Sequence, residues 1–291
     1  MPEVNQRRRS LLKFIGTGAV AMAFPKQTLL ASSGYVPRIG LQLYTVRKSI
    51  ETDFEGTMRK VADIGFRGIE SYALPANITL ARAAGVFKDV GLNVIGMHTQ
   101  LPVGAERDAV LRMAESYDCD RVIFAGWPEG EKYKTLDAIQ HMVDVYNETG
   151  RFLEERGLHF GLHNHWWEFE MHDGYYPFYY LLDHCDDRVF FEIDTYWVKT
   201  GGKDPAKVVS DFGARAPLLH IKDGPAIKGD SAFAQVPAGE GVMDFPAIFK
   251  AGAENIQWMI VEFDEYEKDI FDGMRKSYAY LTNNGLAEGR I

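Results

Sequence analysis

From residue 37 onward the chain repeats one pattern: a short apolar run, a loop, then a longer segment with helical spacing, often closed by glycine. Arg38 to Tyr44 alternates apolar with small or polar residues, the period-two signature of a strand. Over residues 53–64, Phe54, Met58, Val61 and Ile64 share one helical face, and Gly65 follows, as glycine commonly does past a helix end. The pairing recurs at 68–72 with 79–90, 92–98 with 106–117, 121–124 with 136–155, and 158–163 with 176–184. It continues at 189–194 with 205–212, 218–222 with 245–251, and 258–263 with 269–282. Eight strand-then-helix units predict an α/β protein of the (β/α)8 TIM-barrel class rather than an open doubly wound sheet. No low-complexity linker interrupts them, so one barrel domain is expected over residues 36–291.

The first 33 residues follow a different logic. Arg7, Arg8 and Arg9 precede Ser10, Leu11 and Leu12; an apolar Gly/Ala-rich run from Phe14 to Phe24 follows, then small residues near Ala31. A basic start, an apolar stretch below the ~20 residues of a comfortable membrane span, and a cleavage-type region make a signal peptide. The paired arginines resemble a twin-arginine export signal, which implies a periplasmic protein with no stable membrane anchor after cleavage. Cys119 and Cys185 are the only cysteines, too few for a disulfide framework, and are expected to be free and structural.

In a TIM barrel the active site is built at the strand C-termini and the loops after them. Here those positions carry Gln42 and Tyr44, Glu70, His98, then His163, His165 and Glu168, followed by Asp194, His220, Lys222 and Glu262. The strand interiors are otherwise apolar. Carboxylates and imidazoles converging in a barrel are costly unless charge-paired or bound to a metal. Glu168, Asp194, His220 and Glu262 could supply three carboxylates and one imidazole, a mixed oxygen and nitrogen set suited to Mn, Co, Zn, Fe or Mg. Asp194 could alternatively cap a helix, and His220 could be a satisfied core histidine. Gln42, Glu70, His98 and Trp197 are candidate substrate contacts, with packing or ligand support as the competing role for Glu70 and His98. The three tryptophans Trp166, Trp167 and Trp197 could stack on a sugar face or simply fill a core.

Six stretches together carry a family resemblance: Gly-Leu-Gln-Leu-Tyr-Thr-Val-Arg (40–47), Leu-His-Asn-His-Trp-Trp-Glu-Phe (162–169), Glu-Ile-Asp-Thr-Tyr-Trp-Val (192–198), Leu-His-Ile-Lys-Asp (219–223), Pro-Ala-Gly-Glu-Gly (237–241) and Val-Glu-Phe-Asp (261–264). The chain resembles the sugar phosphate isomerase/epimerase family of xylose isomerase-like barrels over nearly its whole mature length. The resemblance implies one divalent metal, commonly Mn, held by Glu, Asp, His and Glu from strands five to eight. Asp194, His220 and Glu262 match the last three. The fifth strand departs: His163 stands before Asn164 where many relatives carry the metal Glu. Either His163 replaces that ligand or Glu168 reaches back from the loop; Glu168 is favoured because it keeps carboxylate chemistry, and His163 and His165 then become candidate bases.

The implied reaction is isomerisation or epimerisation of a sugar through a metal-stabilised enediolate. Glu262 with one of His163, His165 or Glu168 would move protons, and Lys222 would stabilise an oxyanion. Elimination of a β-substituent from a keto-sugar or keto-glycoside, a hydratase or lyase outcome, is the alternative on the same site. No Gly-rich phosphate loop opens a helix, and export removes the protein from cytoplasmic sugar phosphates, so a non-phosphorylated sugar or keto-sugar is the expected substrate. The formal net charge of −9 argues against a nucleic-acid partner, and with it against the abasic-site endonucleases that share this barrel. A non-catalytic saccharide-binding barrel is the remaining alternative. A homo-oligomer is compatible with the sequence.

Overall fold

The computed structural model describes residues 35–126 and 131–289; the signal-peptide expectation for residues 1–33 lies outside them. β1 (Arg38–Gln42) is followed by α1 (Arg47–Thr52) and α2 (Phe54–Ile64), β2 (Gly68–Ser71) by α3 (Leu80–Val90), and β3 (Asn93–Thr99) by α4 (Glu106–Tyr117). β4 (Arg121–Phe124) leads to α5 (Leu136–Glu154), and β5 (His159–His163) to α6 (Pro177–His184). β6 (Val189–Asp194) is followed by α7 (Thr195–Thr200) and α8 (Pro205–Phe212), β7 (Leu218–Ile221) by α9 (Phe245–Gly252), and β8 (Trp258–Val261) by α10 (Ile270–Asn283). The strands pair in sequence order, all parallel, and β8 closes on β1 with Arg38 to Leu41 opposite Trp258 to Val261. The eight expected units are the eight observed ones.

Two helices escaped the periodicity, α1 and α7, each six residues and too short to show a repeat. The first strand also ends earlier than expected. The Gln42 side chain accepts the Tyr44 N–H at 3.0 Å, and Leu43–Val46 turns into a 3₁₀ helix.

Strand periodicity sorts the barrel interior into layers. Near its N-terminal end, Ile95, Ile123, Leu218, Trp258 and Ile260 pack with Phe190 into an apolar plug. Glycines make room for it: a Cβ on Gly68 would stand 2.6 Å from Ile95 and 2.8 Å from the Trp258 ring. Two residues further along each strand the inward position turns polar. Gly40 gives way to Gln42, Gly68 to Glu70, Gly161 to His163, Phe190 to Glu192, Leu218 to His220 and Ile260 to Glu262. The outward faces stay apolar and pack under the helices, with Leu41, Ile69, Phe191, Leu219 and Val261 at or near zero exposure. The plug lies beneath the polar layer, and among the described residues the cavity over that layer opens at the strand C-termini.

Gly68→Ala should overpack this plug. We expect a loss of about 1–3 kcal/mol in chemical denaturation with the barrel otherwise intact. Unchanged stability would mean that Ile95 and Trp258 are not close-packed against this position.

Candidate metal centre at the barrel mouth

The polar layer is a connected set of buried groups. Gln42 donates through Nε2 to Glu70 Oε2 at 2.6 Å. The same carboxylate oxygen lies 2.7 Å from His220 Nε2 and 3.1 Å from His98 Nε2. Glu192 Oε2 faces three imidazoles, His98 Nε2 at 2.6 Å, His163 Nδ1 at 3.1 Å and His220 Nε2 at 3.2 Å. Above it, His220 Nδ1 stands 2.6 Å from Glu262 Oε2 and 3.8 Å from Asp194 Oδ2. Lys222 Nζ lies 2.9 Å from Asp194, 2.8 Å from Glu262 and 2.9 Å from Asp264.

Burial and crowding set the charge states. Burial pushes Asp194 up to about 6, against the pull of Lys222 and His220. For Glu262, burial acts upward too, but Lys222 and His220 outweigh it and hold the carboxyl well below the usual range. Glu70 and Glu192 share one dry space. Burial and the neighbouring Glu192 raise Glu70, whereas His220 and His98 overcome burial at Glu192 and hold it low. The imidazoles divide as well. Burial lowers His163 to about 3, while the surrounding carboxylates overcome burial at His220 and keep it well above the ordinary value. Lys222, fully buried, stays charged because three carboxylates surround it.

Asp194 shows how the local sequence builds the site. Its Oδ1 accepts the Trp197 N–H at 2.9 Å and caps α7, so the capping role is real. Its Oδ2 is turned to the opposite side, toward His220 and Lys222. The cap holds the carboxylate in the orientation that the mouth requires.

Asp194 Oδ2, His220 Nδ1 and Glu262 Oε2 are buried, with Lys222 ion-paired to both oxygens and His220 close against Glu262. They lie within 4.8 Å of one another. Three potential ligand atoms of carboxylate and imidazole type crowded around one point fit a cation held between them. His98, His163, Glu192 and His220 form a second such group directly below.

The other expected residues fall in different places. Glu168 is buried, but its Oε2 accepts the His165 N–H at 2.8 Å, and it belongs to neither group. The 3₁₀ turn Trp167–Phe169 carries it behind His165, toward Gly126. The His165 ring stacks on Trp167 at 4.2 Å and lines the mouth beside His163. Trp197 is almost fully buried under Trp166, with Lys222 Nζ 5.3 Å from its ring centre. His98 lines the cavity, whereas Gln42 and Glu70 lie beneath it, their polar atoms directed at each other and at His220. Sequence reasoning passed over Glu192 and Asp264. Each was signalled by parity, Glu192 two residues before Asp194 and Asp264 two after Glu262.

A cavity of about 780 Å³ opens above these groups. Trp166, Trp197 and Phe233 cluster on it, Tyr44 and Tyr72 meet edge to face at 4.9 Å, and its charged lining is Lys222 with Glu106, Glu262, Asp264 and Glu265. The Pro-Ala-Gly-Glu-Gly stretch stands outside it. Asp223 accepts the N–H groups of Gly224, Gly239, Gly241 and Met243 at 2.9–3.2 Å and folds the loop on itself.

Residues 58–283 match the xylose isomerase-like TIM barrel family, and the chain belongs to it. Among solved structures it is similar to a sugar phosphate isomerase/epimerase from Parabacteroides distasonis, at 23% identity and TM-score 0.73, over 91% of this chain and 100% of that one. An L-ribulose 3-epimerase aligns at 18% identity and TM-score 0.66, over 86% and 95% of the two chains. A D-psicose 3-epimerase aligns at 16% and 0.61, over 86% and 100%. At these identities the likeness is one of fold. No curated protein matches the chain in sequence.

Asp223→Ala removes the acceptor for four backbone N–H groups and should cost about 2 kcal/mol in urea denaturation. The near-ultraviolet circular dichroism of the folded variant should stay close to that of the parent, because the loop that Asp223 ties contributes none of the crowded atoms.

Proposed function

We propose that this protein is a divalent-metal-dependent sugar isomerase or epimerase acting on a non-phosphorylated sugar or keto-sugar. The observation that carries the proposal is the trio of buried atoms Asp194 Oδ2, His220 Nδ1 and Glu262 Oε2, brought within 4.8 Å of one another by three neighbouring strands. These three residues would hold the cation, and mixed carboxylate and imidazole ligation suits Mn, with Co, Zn, Fe or Mg as substitutes. A bound divalent ion would supply Lewis acidity to a carbonyl and an adjacent hydroxyl, which acidifies the C–H between them.

The chain's own residues do the rest. His165 lines the cavity, and burial holds its pKa well below the usual value, so the ring is neutral and able to accept a proton. Its Nδ1 is turned toward Gly126, where an added Cβ would stand 3.5 Å away. Lys222, charged and fixed by three carboxylates, stabilises developing negative charge on oxygen through Nζ. Return of the proton to the other face gives an epimer, and return to the neighbouring carbon gives an isomer. The aromatic rings of the mouth exclude water and offer faces for a sugar to stack on. The lining supports a non-phosphorylated substrate: among the described residues it holds no arginine and several acidic groups, which is unfavourable for a phosphate ester.

Elemental mass spectrometry on purified protein is the primary test. We expect a first-row divalent metal bound at the outer trio, and Asp194→Asn should weaken that site by about 10–100-fold. The asparagine Oδ1 can still cap α7, so stability should remain within about 1 kcal/mol of the parent. No bound metal even after reconstitution would defeat the proposal. With keto-sugars in deuterated water, solvent deuterium should enter the carbon beside the carbonyl, and His165→Ala should slow that exchange by about 10²–10⁴-fold.

We further propose export by the twin-arginine route to the periplasm, on the strength of residues 7–33. Replacing Arg8 and Arg9 together by lysine should leave the precursor in the cytoplasm, measured by fractionation. Unchanged export would reject the route.

A further inference from the structure

Beneath the outer trio lies a nitrogen-rich cage with no role in the reaction proposed above. His98 Nε2 from β3, His163 Nδ1 from β5 and His220 Nε2 from β7 all point at Glu192 Oε2 from β6, at 2.6, 3.1 and 3.2 Å. The ring centres are 4.6–5.4 Å apart, so the three imidazoles surround one small volume. Each group sits on a separate strand of a closed barrel, which fixes the cage more rigidly than loops could.

Protons satisfy this cage poorly. A single N–H at His98 Nε2 has two carboxylate oxygens within reach, Glu192 at 2.6 Å and Glu70 at 3.1 Å. His220 Nε2 has the same two at 3.2 and 2.7 Å. The second oxygens of both carboxylates, Glu70 Oε1 and Glu192 Oε1, are buried without hydrogen-bond partners among the described residues. The ion pairs of Glu70 and Glu192 are with these imidazoles, while Lys222 pairs with the upper carboxylates. Two fully buried carboxylates therefore share the one imidazolium of His220, which Glu262 also claims, and a dry arrangement short of positive charge costs several kcal/mol per ion in general terms unless it is neutralised.

We propose that this inner cage is a second cation site, with His98, His163 and Glu192 as ligands and His220 contributing Nε2. Its three imidazoles and one carboxylate select late first-row ions such as Zn or Co, in contrast with the oxygen-rich trio above it. His220 faces one centre with each ring nitrogen, which couples the two. Glu70, tied to Gln42, borders the inner site and offsets its charge. Apart from sharing His220, the inner site does not depend on the outer one or on the sugar chemistry.

The test is cobalt and zinc stoichiometry on metal-stripped, refilled protein, by elemental mass spectrometry, with the visible d–d absorption of bound cobalt as a second readout. Wild type should take two equivalents per chain, and Glu192→Gln and His98→Asn should each take one, with the inner cobalt bands lost. Asp194→Asn should keep the inner equivalent. Circular dichroism checks that each variant is folded, and the wild-type value decides the matter should one variant fail. Saturation of wild type at one equivalent, retained in Glu192→Gln and His98→Asn and lost in Asp194→Asn, would overturn the inner site and leave the proposed function standing. One equivalent lost in Glu192→Gln and kept in Asp194→Asn would support the inner site and reject the outer trio. No metal in any form would reject both.

Discussion

Four carboxylates, Glu70, Glu192, Asp194 and Glu262, lie inside the barrel with 0–6% exposure, and compensating their charge is the constraint on which the mouth depends. Uncompensated, each would lose hydration worth several kcal/mol. Three imidazoles and one lysine are the compensation that the described chain provides. The same crowding leaves Glu70 Oε1 and Glu192 Oε1 buried without hydrogen-bond partners among the described residues. A barrel built for stability alone would fill these positions with apolar side chains, as Phe190, Leu218 and Ile260 do one layer below.

The apolar plug makes that polar layer usable. Ile95, Ile123, Trp258 and Ile260 pack across the barrel beneath it, on the side away from the cavity. Low dielectric strengthens every charge interaction above the plug, which is why neighbouring groups separate so sharply in character. His163 is driven neutral and His220 is held charged, although their ring centres are 4.6 Å apart. The difference lies in their partners: His163 meets Glu192, whereas His220 stands between carboxylates on both sides.

Asp194 ties structure to chemistry. One of its oxygens ends β6 by starting α7, and the other faces the cavity side of the same junction. Reading the residue as either a helix cap or a ligand set up a false choice, because a carboxylate has two oxygens. Gln42 works similarly at β1. Its carbonyl turns the chain at Tyr44 and its amide positions Glu70, which in turn meets His220.

The order of elements, the barrel class and most of the mouth residues could be read from the chain, because they depend on local periodicity. Alternation in the strands and helical spacing between them leave a record every two or four residues. So does the place where an apolar strand turns polar, which marked His98, His163, Asp194, His220 and Glu262. Other features were decided only in three dimensions. Glu168 was expected to reach the metal from its loop, but a 3₁₀ turn and the stacking of His165 on Trp167 carry it behind the wall. Glu192 sat unremarked inside a strand, and it matters because closure of the barrel brings β3, β5 and β7 to the same point. The sequence by itself determined which strands would present polar ends, since that pattern is local. Which of those ends meet was decided by register and closure of the sheet, which act between residues far apart in the chain.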